Sequence, residues 1–160
     1  MTVKVGDKVP SAKLKQMSAD GPKDVSTDEL FSGKKVAVFA LPGAFTPTCS
    51  ARHLPGFVEK ADELKKKGVQ AIACVSVNDA FVMDAWGKAQ GVGEKVMMLA
   101  DGNGDFTRAM GLEMDGTGFG MGKRSQRYSM IVENGVIKQL NVEQPRAFEV
   151  SSADHMLKQL

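Results

Sequence analysis

The sequence predicts an α/β fold in which helices flank a mixed β-sheet. Buried apolar runs alternate with segments whose apolar residues recur every three or four positions, which gives the order strand–helix–strand–helix–strand. Because parallel strands are joined by right-handed crossovers, this order favours a largely parallel core. Two later β runs meet at Asn134-Gly135, the pattern of a tight hairpin, and they predict antiparallel strands at one edge.

The first half of the chain supplies two of the buried strands. Residues 1–33 predict strands and turns, followed by a small helix near TDELF. The run KKVAVFAL predicts a buried strand over 34–41, and VQAIACVSV predicts a second over 69–77. Between them, PGFVEKADELKKKG has helical spacing, and Gly68 is placed to end that helix.

The second half continues the alternation. Asn78 is a candidate N-cap for a helix over 79–90, and VMMLAD predicts a third strand. Asp105 is a candidate cap for a short helix over FTRAMG. A final helix, SSADHMLKQL, is expected to begin from Ser151 or Ser152.

Length and composition predict one domain, 1–160, and the charge balance argues against some classes of binding partner. The 21 basic and 19 acidic residues leave a formal charge of +2, which argues against nucleic acid or an anionic membrane surface as a partner. No apolar stretch approaches the ~20 residues that span a bilayer. With two cysteines and no N-x-[ST] acceptor, the chain is expected in the reducing cytoplasm, although a processed organellar form would look the same.

One cysteine, Cys49, lies in a setting typical of a reactive thiolate. The stretch LPGAFTPTCS follows a predicted strand, and a helix is expected to begin near Thr48 and to end or kink at Pro55. Cys49 would then occupy the first helical turn at the carboxyl end of a parallel strand, a general location of active sites in α/β sheets. Backbone N–H groups and the helix dipole stabilise a thiolate there. Thr46, three residues earlier, places its hydroxyl where it can fold back toward the sulfur and a substrate.

The other cysteine, Cys74, has the opposite setting. It lies in the middle of the predicted strand AIACVSV, so its thiol is expected to be buried and unreactive. For Cys49 the alternative of an inert core residue is weaker, because the residues around it fix the backbone.

A thiolate also needs a cation, and two arginines are candidates. Arg127 stands at the entrance of a predicted strand, from which its guanidinium can reach over the end of the sheet. Arg52 follows Cys49 on the same predicted helix, and the sequence alone does not choose between them. Lys123 and Arg124 are assigned to the preceding loop.

Several other motifs predict no chemistry. DGNGDF begins like a calcium loop but has Phe106 where glycine is required, so we interpret it as a turn into a helix. The glycine-rich segment 115–122 is expected to be a loop at the mouth of the active site, where Phe119 would form an apolar wall or a subunit contact. His53 and His155 lack metal-ligand spacing, and a Cys–His hydrolase built on His53 would need a third orienting group. No metal or cofactor is expected.

The motif around Cys49 resembles that of the peroxiredoxins. PGAFTPTC fits the pattern P-x-x-x-T-x-x-C, and GAFTPTCSARHLPGF is similar to the type II, or peroxiredoxin-5-like, subfamily. The similarity continues through VNDAFVMDAWG, LADGNGDFTRAMGL and RYSMIVENGVIKQLNVE, and so covers about 34–143. The resemblance implies a thioredoxin-like fold in a single domain.

The resemblance also implies roles for individual residues. Cys49 would be the peroxidatic cysteine, Thr46 would hydrogen-bond thiolate and peroxide, Arg127 would polarise both, and Pro42 would shield the thiolate from water. The expected substrates are hydrogen peroxide and small organic hydroperoxides, and the expected assembly is a homodimer. Cys74 matches a position that usually does not resolve the sulfenic acid, and some relatives have a further resolving cysteine near the C-terminus that this chain lacks.

The expected catalytic cycle therefore uses one cysteine. An external thiol, such as glutathione, glutaredoxin or thioredoxin, would reduce the oxidised Cys49. One alternative is a peroxide sensor or relay that passes its oxidation to a partner protein. Another is a general thiol–disulfide oxidoreductase, against which the absence of C-x-x-C counts.

Overall fold

The computed structural model of the chain describes residues 2–160 and has nine strands and six α-helices within them. The strands are β1 Lys13–Ser18, β2 Gly21–Ser26, β3 Lys35–Ala40, β4 Ala71–Ser76, β5 Met97–Ala100, β6 Glu113–Asp115, β7 Lys123–Ser125, β8 Tyr128–Glu133 and β9 Val136–Val142. The helices are α1 Thr27–Phe31, α2 Leu54–Glu59, α3 Ala61–Lys66, α4 Ala80–Ala89, α5 Asp105–Met110 and α6 Ala153–Gln159. A π-helical turn, Cys49–His53, precedes α2, and a 3₁₀ turn, Thr117–Phe119, lies between β6 and β7.

Seven strands form one mixed sheet, in the order β2-β1-β5-β4-β3-β8-β9. The central strands β3, β4 and β5 are parallel, and β8 pairs antiparallel with β3. The hairpin of β8 and β9 turns at Asn134-Gly135, where both residues have positive φ, as predicted. The α/β class and the mixed sheet predicted from the sequence are therefore confirmed.

Helices cover both faces of this sheet because β3 is apolar on both. Phe39 points into the layer under α2, α3, α4 and α6, where Phe57 and Trp86 are fully buried. Val38 points into the opposite layer, which contains Phe31 of α1 and Phe106 of α5. A strand covered on both faces is a near-continuous apolar run, which explains why β3 is evident in the sequence.

Two helix caps differ from the prediction. Asp79, not Asn78, caps α4, because its carboxylate accepts from the N–H of Val82 at 2.8 Å. Gly104, in the left-handed conformation, precedes α5, and Asp105 is already the first helical residue. At the C-terminus the cap of α6 is Ser152, whose hydroxyl accepts from the N–H of His155.

Two further predictions were wrong in detail. The helix predicted over PGFVEKADELKKKG is divided into α2 and α3, since Lys60 leaves helical geometry with φ −95° and ψ 8°. Lys123 and Arg124 belong to strand β7, which pairs with β6 to form a separate two-stranded ribbon, and not to a loop. No helix within residues 2–160 is long and apolar enough to cross a membrane.

Candidate active site

Cys49 lies in the first turn of a helix, which a short loop connects to the end of β3. The chain is helical from Pro47, and the N–H of Ser50 donates to the carbonyl of Thr46 at 2.9 Å. From Cys49 the helix widens into the π-helical turn, in which the N–H of Leu54 reaches back to the Cys49 carbonyl. The helix continues past Pro55 into α2, so the irregularity expected at this proline takes the form of a wider turn before it.

Arg127 is the arginine that contacts the sulfur. Arg127 lies between β7 and β8, directly before the first residue of β8. Its Nη2 donates to Cys49 Sγ, in the first turn of the helix, at 3.1 Å. The guanidinium of Arg52 instead lies 4.6 Å from the centre of the Phe148 ring. The choice that the sequence left open is therefore made by geometry, in favour of Arg127.

A buried histidine holds the other side of the Arg127 guanidinium. Arg127 Nη1 lies 2.8 Å from His53 Nδ1, and His53 Nε2 lies 2.9 Å from the Ser151 carbonyl oxygen. Because arginine can only donate, Nδ1 must accept, and the ring proton is on Nε2. Burial, together with the charge of Arg127, lowers the pKa of His53 to about 3, so the ring is neutral at physiological pH. Sequence reasoning considered this histidine only as a metal ligand or a hydrolase base and missed its contact with the arginine.

Thr46 and Pro42 line a cavity that Arg127 also borders. The Thr46 hydroxyl donates to the Gly43 carbonyl at 2.7 Å, which leaves its oxygen as an acceptor. The Pro42 carbonyl accepts from Arg124 Nη1 at 3.3 Å, and a Cβ on Gly43 would lie 2.9 Å from that same nitrogen. Arg124 thus fastens the active-site loop to β7 and packs closely on Gly43, a role that its sequence position did not reveal.

Cys74 lies opposite Phe39 in the parallel pairing of β3 and β4, and it is fully buried. Burial raises the pKa of the Cys74 thiol, and the proximity of Cys49 raises it further. Both cysteines have free thiols. A buried neutral thiol in a central strand is a poor nucleophile, in agreement with the expected core role.

A cavity of about 770 Å³ opens beside Pro42, Thr46 and Arg127. Its walls come from the active-site loop (Pro42, Thr46, Pro47, Thr48), the ribbon and its turn (Glu113, Met114, Phe119, Met121), the start of β8 (Gln126, Arg127), and Glu143 with the segment after β9 (Gln144, Pro145, Arg146, Ala147). Phe119 is 70% exposed at the rim, where the Arg146 guanidinium lies 5.7 Å from its ring centre. The Cys49 side chain itself is fully buried, so lining side chains must move for a peroxide to touch the sulfur.

The same region contains no metal centre in the part of the chain that the structure describes. Within residues 2–160, no three His, Cys, Asp or Glu side chains are grouped so that they could hold a metal ion. What the arrangement offers is a buried sulfur, a guanidinium donor aimed at it, and an adjoining cavity with acceptor and apolar walls.

Comparison with known proteins gives one consistent family. The Redoxin family matches residues 4–157. Peroxiredoxin-2E-2, chloroplastic, of Oryza sativa subsp. japonica is 56% identical over 99% of this chain and 73% of its own length. Peroxiredoxin-2B of Arabidopsis thaliana is 47% identical over 99% of this chain and 98% of its own. The crystal structure of reduced Prx3 of Vibrio vulnificus in complex with hydrogen peroxide is 56% identical, with a TM-score of 0.95 over 99% of both chains.

These similarities extend over nearly the whole chain, and the structural likeness includes the helix and loop that carry Cys49. The motif PGAFTPTC, the sheet order and the full-length identity lead to one family. The chain belongs to the type II peroxiredoxins, and it is a thiol peroxidase with a thioredoxin-like fold.

Proposed function

We propose that Cys49 is the peroxidatic cysteine and that the reaction passes through a sulfenic acid. The thiolate attacks one peroxide oxygen, an S–O bond forms, and the O–O bond breaks. Cys49 becomes a sulfenic acid, and the departing oxygen leaves as hydroxide or alkoxide. It takes up one proton from water, which balances the proton that the thiol lost on ionisation, and so gives water from hydrogen peroxide or an alcohol from an organic hydroperoxide. The observation that supports this proposal is the 3.1 Å contact between Arg127 Nη2 and Cys49 Sγ.

The neighbouring residues supply donors and acceptors for this step. Arg127 stabilises the thiolate and then the negative charge that develops on the peroxide oxygens, and such donors stabilise the transition state more than the ground state. The Thr46 oxygen, whose proton is used by Gly43, accepts the O–H of the peroxide and orients it. Pro42 lines the adjoining cavity, and the role we propose for it is to shield the thiolate from water.

An external thiol completes the cycle. It condenses with the sulfenic acid to give a mixed disulfide and water, and a second thiol then releases Cys49 and leaves as the disulfide. Cys74 is the one other cysteine of the sequence, and its burial in the central strand β4 argues against a disulfide with Cys49 without local unfolding of that strand. Glutathione, glutaredoxin and thioredoxin are the candidate reductants, and hydrogen peroxide and small organic hydroperoxides are the candidate substrates.

Peroxide consumption by two cysteine variants tests this cycle. Cys49→Ser is expected to abolish consumption of hydrogen peroxide with glutathione and glutaredoxin, or with thioredoxin, whereas Cys74→Ser retains most of it. Loss of turnover in Cys74→Ser, with its first oxidation intact, would contradict the one-cysteine cycle. A protein that oxidises once but never turns over with any of these reductants would instead fit the peroxide sensor or relay.

We also infer a homodimer, which the family resemblance implied. Three phenylalanine rings are exposed at or near the active-site end of the sheet, Phe45 by 58%, Phe81 by 66% and Phe119 by 70%. Large exposed apolar groups at one end of a molecule favour contact with another protein surface, and a second copy of this chain is the proposed partner. The cytoplasmic location stays a prediction beside the organellar alternative, and chloroplastic is part of the name of two relatives.

A further inference from the structure

Glu143, at the end of β9, has a buried carboxylate that organises the segment after it. Its side chain is only 6% exposed. One oxygen, Oε2, accepts four hydrogen bonds, which come from the backbone N–H groups of Glu149, Val150 and Ser151 at 2.8–2.9 Å and from the Ser151 hydroxyl at 2.7 Å. Within residues 2–160, no ion pair includes Glu143. The four hydrogen bonds to this carboxylate therefore come from neutral donors.

Four donors on one oxygen fix the position of Ser151. A carboxylate with several backbone N–H partners is held in place, and it holds those partners in return. The hydrogen bonds to Glu143 also lower the pKa of its carboxyl against the opposing effect of burial, so it is ionised at neutral pH. The segment from Gln144 to Val150 is consequently tied at both ends to the same residue.

From Ser151 a chain of hydrogen bonds leads to the sulfur. The Ser151 carbonyl accepts from His53 Nε2 at 2.9 Å, His53 Nδ1 accepts from Arg127 Nη1 at 2.8 Å, and Arg127 Nη2 donates to Cys49 Sγ at 3.1 Å. Glu143 holds Arg127 at its backbone as well, because the N–H of Glu143 donates to the Arg127 carbonyl at 2.9 Å. Glu143 is therefore connected to Arg127 twice. It bonds directly to the Arg127 main chain, and it is linked to the guanidinium through Ser151 and His53.

We propose that Glu143 is a positioning residue for the peroxidase reaction, which acts on Cys49 through Ser151, His53 and Arg127. This inference rests on the proposed roles of Cys49 and Arg127. The Glu143 carboxylate fixes the position of the Ser151 carbonyl. That carbonyl fixes the ring plane and the tautomer of His53, and the ring orients the Arg127 guanidinium so that one N–H faces the sulfur. An error of about 1 Å in such an arrangement can lower a rate about a hundredfold.

The direction of the effect separates positioning from simple electrostatics. Glu143 lines the same cavity as Arg127, and a nearby negative charge disfavours a thiolate. If charge alone mattered, Glu143→Gln would raise the thiolate fraction of Cys49 and speed its oxidation. If positioning matters, the same variant lowers the thiolate fraction and slows oxidation.

The test compares Glu143→Gln with Glu149→Gln by stopped-flow oxidation of the reduced proteins with hydrogen peroxide. Glu149→Gln removes the same charge six residues away, from an exposed side chain, and keeps the backbone N–H that donates to Glu143. We expect Glu143→Gln to slow oxidation about ten- to a hundredfold and to lower the thiolate absorbance at neutral pH. Glu149→Gln is expected to match the wild type. An unchanged or faster Glu143→Gln would overturn the proposal.

A double-mutant cycle shows whether the effect passes through Arg127. In an Arg127→Ala background, Glu143→Gln is expected to slow oxidation no further, because the guanidinium it positions is gone. A full additional loss in that background would mean a general disturbance of the fold and would overturn the proposal. Slow oxidation of the wild type itself would contradict the proposed function instead, so the two failures are distinguishable.

A milder variant serves if Glu143→Gln does not fold, as judged by circular dichroism and urea unfolding. Ser151→Ala removes the hydroxyl donor but keeps the three N–H donors and the carbonyl that His53 needs. It is expected to slow oxidation severalfold in the same direction and to have no effect in the Arg127→Ala background. A wild-type rate in Ser151→Ala would then count against the proposal.

Discussion

At the residue scale, the chemistry depends on which groups face one sulfur atom. Cys49 meets a guanidinium N–H at 3.1 Å in the first turn of a helix, while Cys74 lies fully buried in the middle of strand β4. Stabilising a thiolate also makes it less nucleophilic, so a fast peroxidase cannot rely on thiolate formation alone. The neighbouring groups must therefore also act on the peroxide, and in the proposed mechanism Arg127 does so as a donor and Thr46 as an acceptor.

His53 makes an acid-dependent contribution to stability. Its pKa of about 3 lies below the ordinary value of 6.5, so the unfolded chain binds a proton more readily than the folded chain between these values. Stability is therefore complete above about pH 6.5 and falls as the pH decreases toward about 3. From about pH 7 to about pH 5, we expect the free energy of unfolding to fall by roughly 1–2 kcal/mol because of this residue.

Urea unfolding of the wild type and of His53→Gln at these two pH values measures that contribution. Glutamine cannot take up a proton in this range, so the variant is expected to lack this part of the decrease, whatever its stability at neutral pH. At pH values above about 5, most of the titration of Glu143 is also avoided, because the ordinary pKa of its carboxyl is 4.5. An equal decrease in both proteins would show that His53 does not titrate on unfolding as described.

At the scale of elements, the active-site helix depends on how tightly its neighbours pack on the sheet. Helix α4 places Trp86 beside that helix, where the indole N–H donates to the Ser50 hydroxyl at 3.1 Å. Next to Trp86, Gly87 allows α4 to approach β5, because a Cβ there would lie 2.9 Å from Met98 Cγ and 3.3 Å from Val92 Cγ2. Glycine is thus required by packing inside a helix, where it otherwise costs stability.

Alanine substitutions at two helical glycines test this packing. Gly87→Ala is expected to lower the free energy of unfolding by about 1–3 kcal/mol through overpacking. Gly56→Ala in α2, where a Cβ would meet nothing within 4 Å, is expected to raise it by about 0.5–1 kcal/mol through helix propensity. Urea unfolding measures both, and a Gly87→Ala protein as stable as the wild type would contradict the close approach of α4 to β5.

At the scale of the whole molecule, the active-site end of the sheet combines a reaction centre with exposed rings. The loop with Phe45 is tied to the segment before α4, because the N–H of Ala44 donates to Asn78 Oδ1 at 2.9 Å. Phe81, in the first turn of α4, therefore lies on the same end of the molecule as Phe45. A second copy that covers these rings would also lie close to the cavity beside Cys49.

The proposed dimer predicts the effect of a charge at this surface. Phe81→Glu is expected to shift the protein from dimer to monomer in sedimentation velocity experiments, because a carboxylate would be buried without a partner. Phe81→Leu, which keeps an apolar side chain at the same position, is the control and is expected to keep the dimer. A wild type that sediments as a monomer at all concentrations would contradict the homodimer.

The sequence predicted most of the fold because the central strands and their helices have strong local patterns. β3 and β4 are apolar on both faces, and Asn134-Gly135 specifies its hairpin. The predicted cap failed at α4 because Asn78 and Asp79 are adjacent and only the backbone decides which one is the N-cap. It failed at α5 because a left-handed glycine, Gly104, takes the N-cap position before Asp105. The short strand β7 has three residues and no periodicity to detect.

The candidate site was predicted as far as local motifs extend. Cys49 and Thr46 lie in one motif, and Arg127 was one of two candidates because its contact with the sulfur joins residues 78 positions apart. His53, Arg124 and Glu143 could not be found in this way, since each acts through a partner that is distant in the sequence or through a backbone carbonyl. Histidine and glutamate have many uses, and neither carries a local signal for this one.

The most direct test of the account is stopped-flow reaction of the fully reduced protein with one equivalent of hydrogen peroxide. Trp86 is the single tryptophan, and its bond to Ser50 makes its fluorescence a reporter next to Cys49. We expect oxidation far faster than that of a free thiol, absent in Cys49→Ser, slowed by about 10²-fold or more in Arg127→Ala, and unchanged in Arg52→Ala. Oxidation of the wild type at the rate of an ordinary cysteine, or an unaffected rate in Arg127→Ala, would contradict the account.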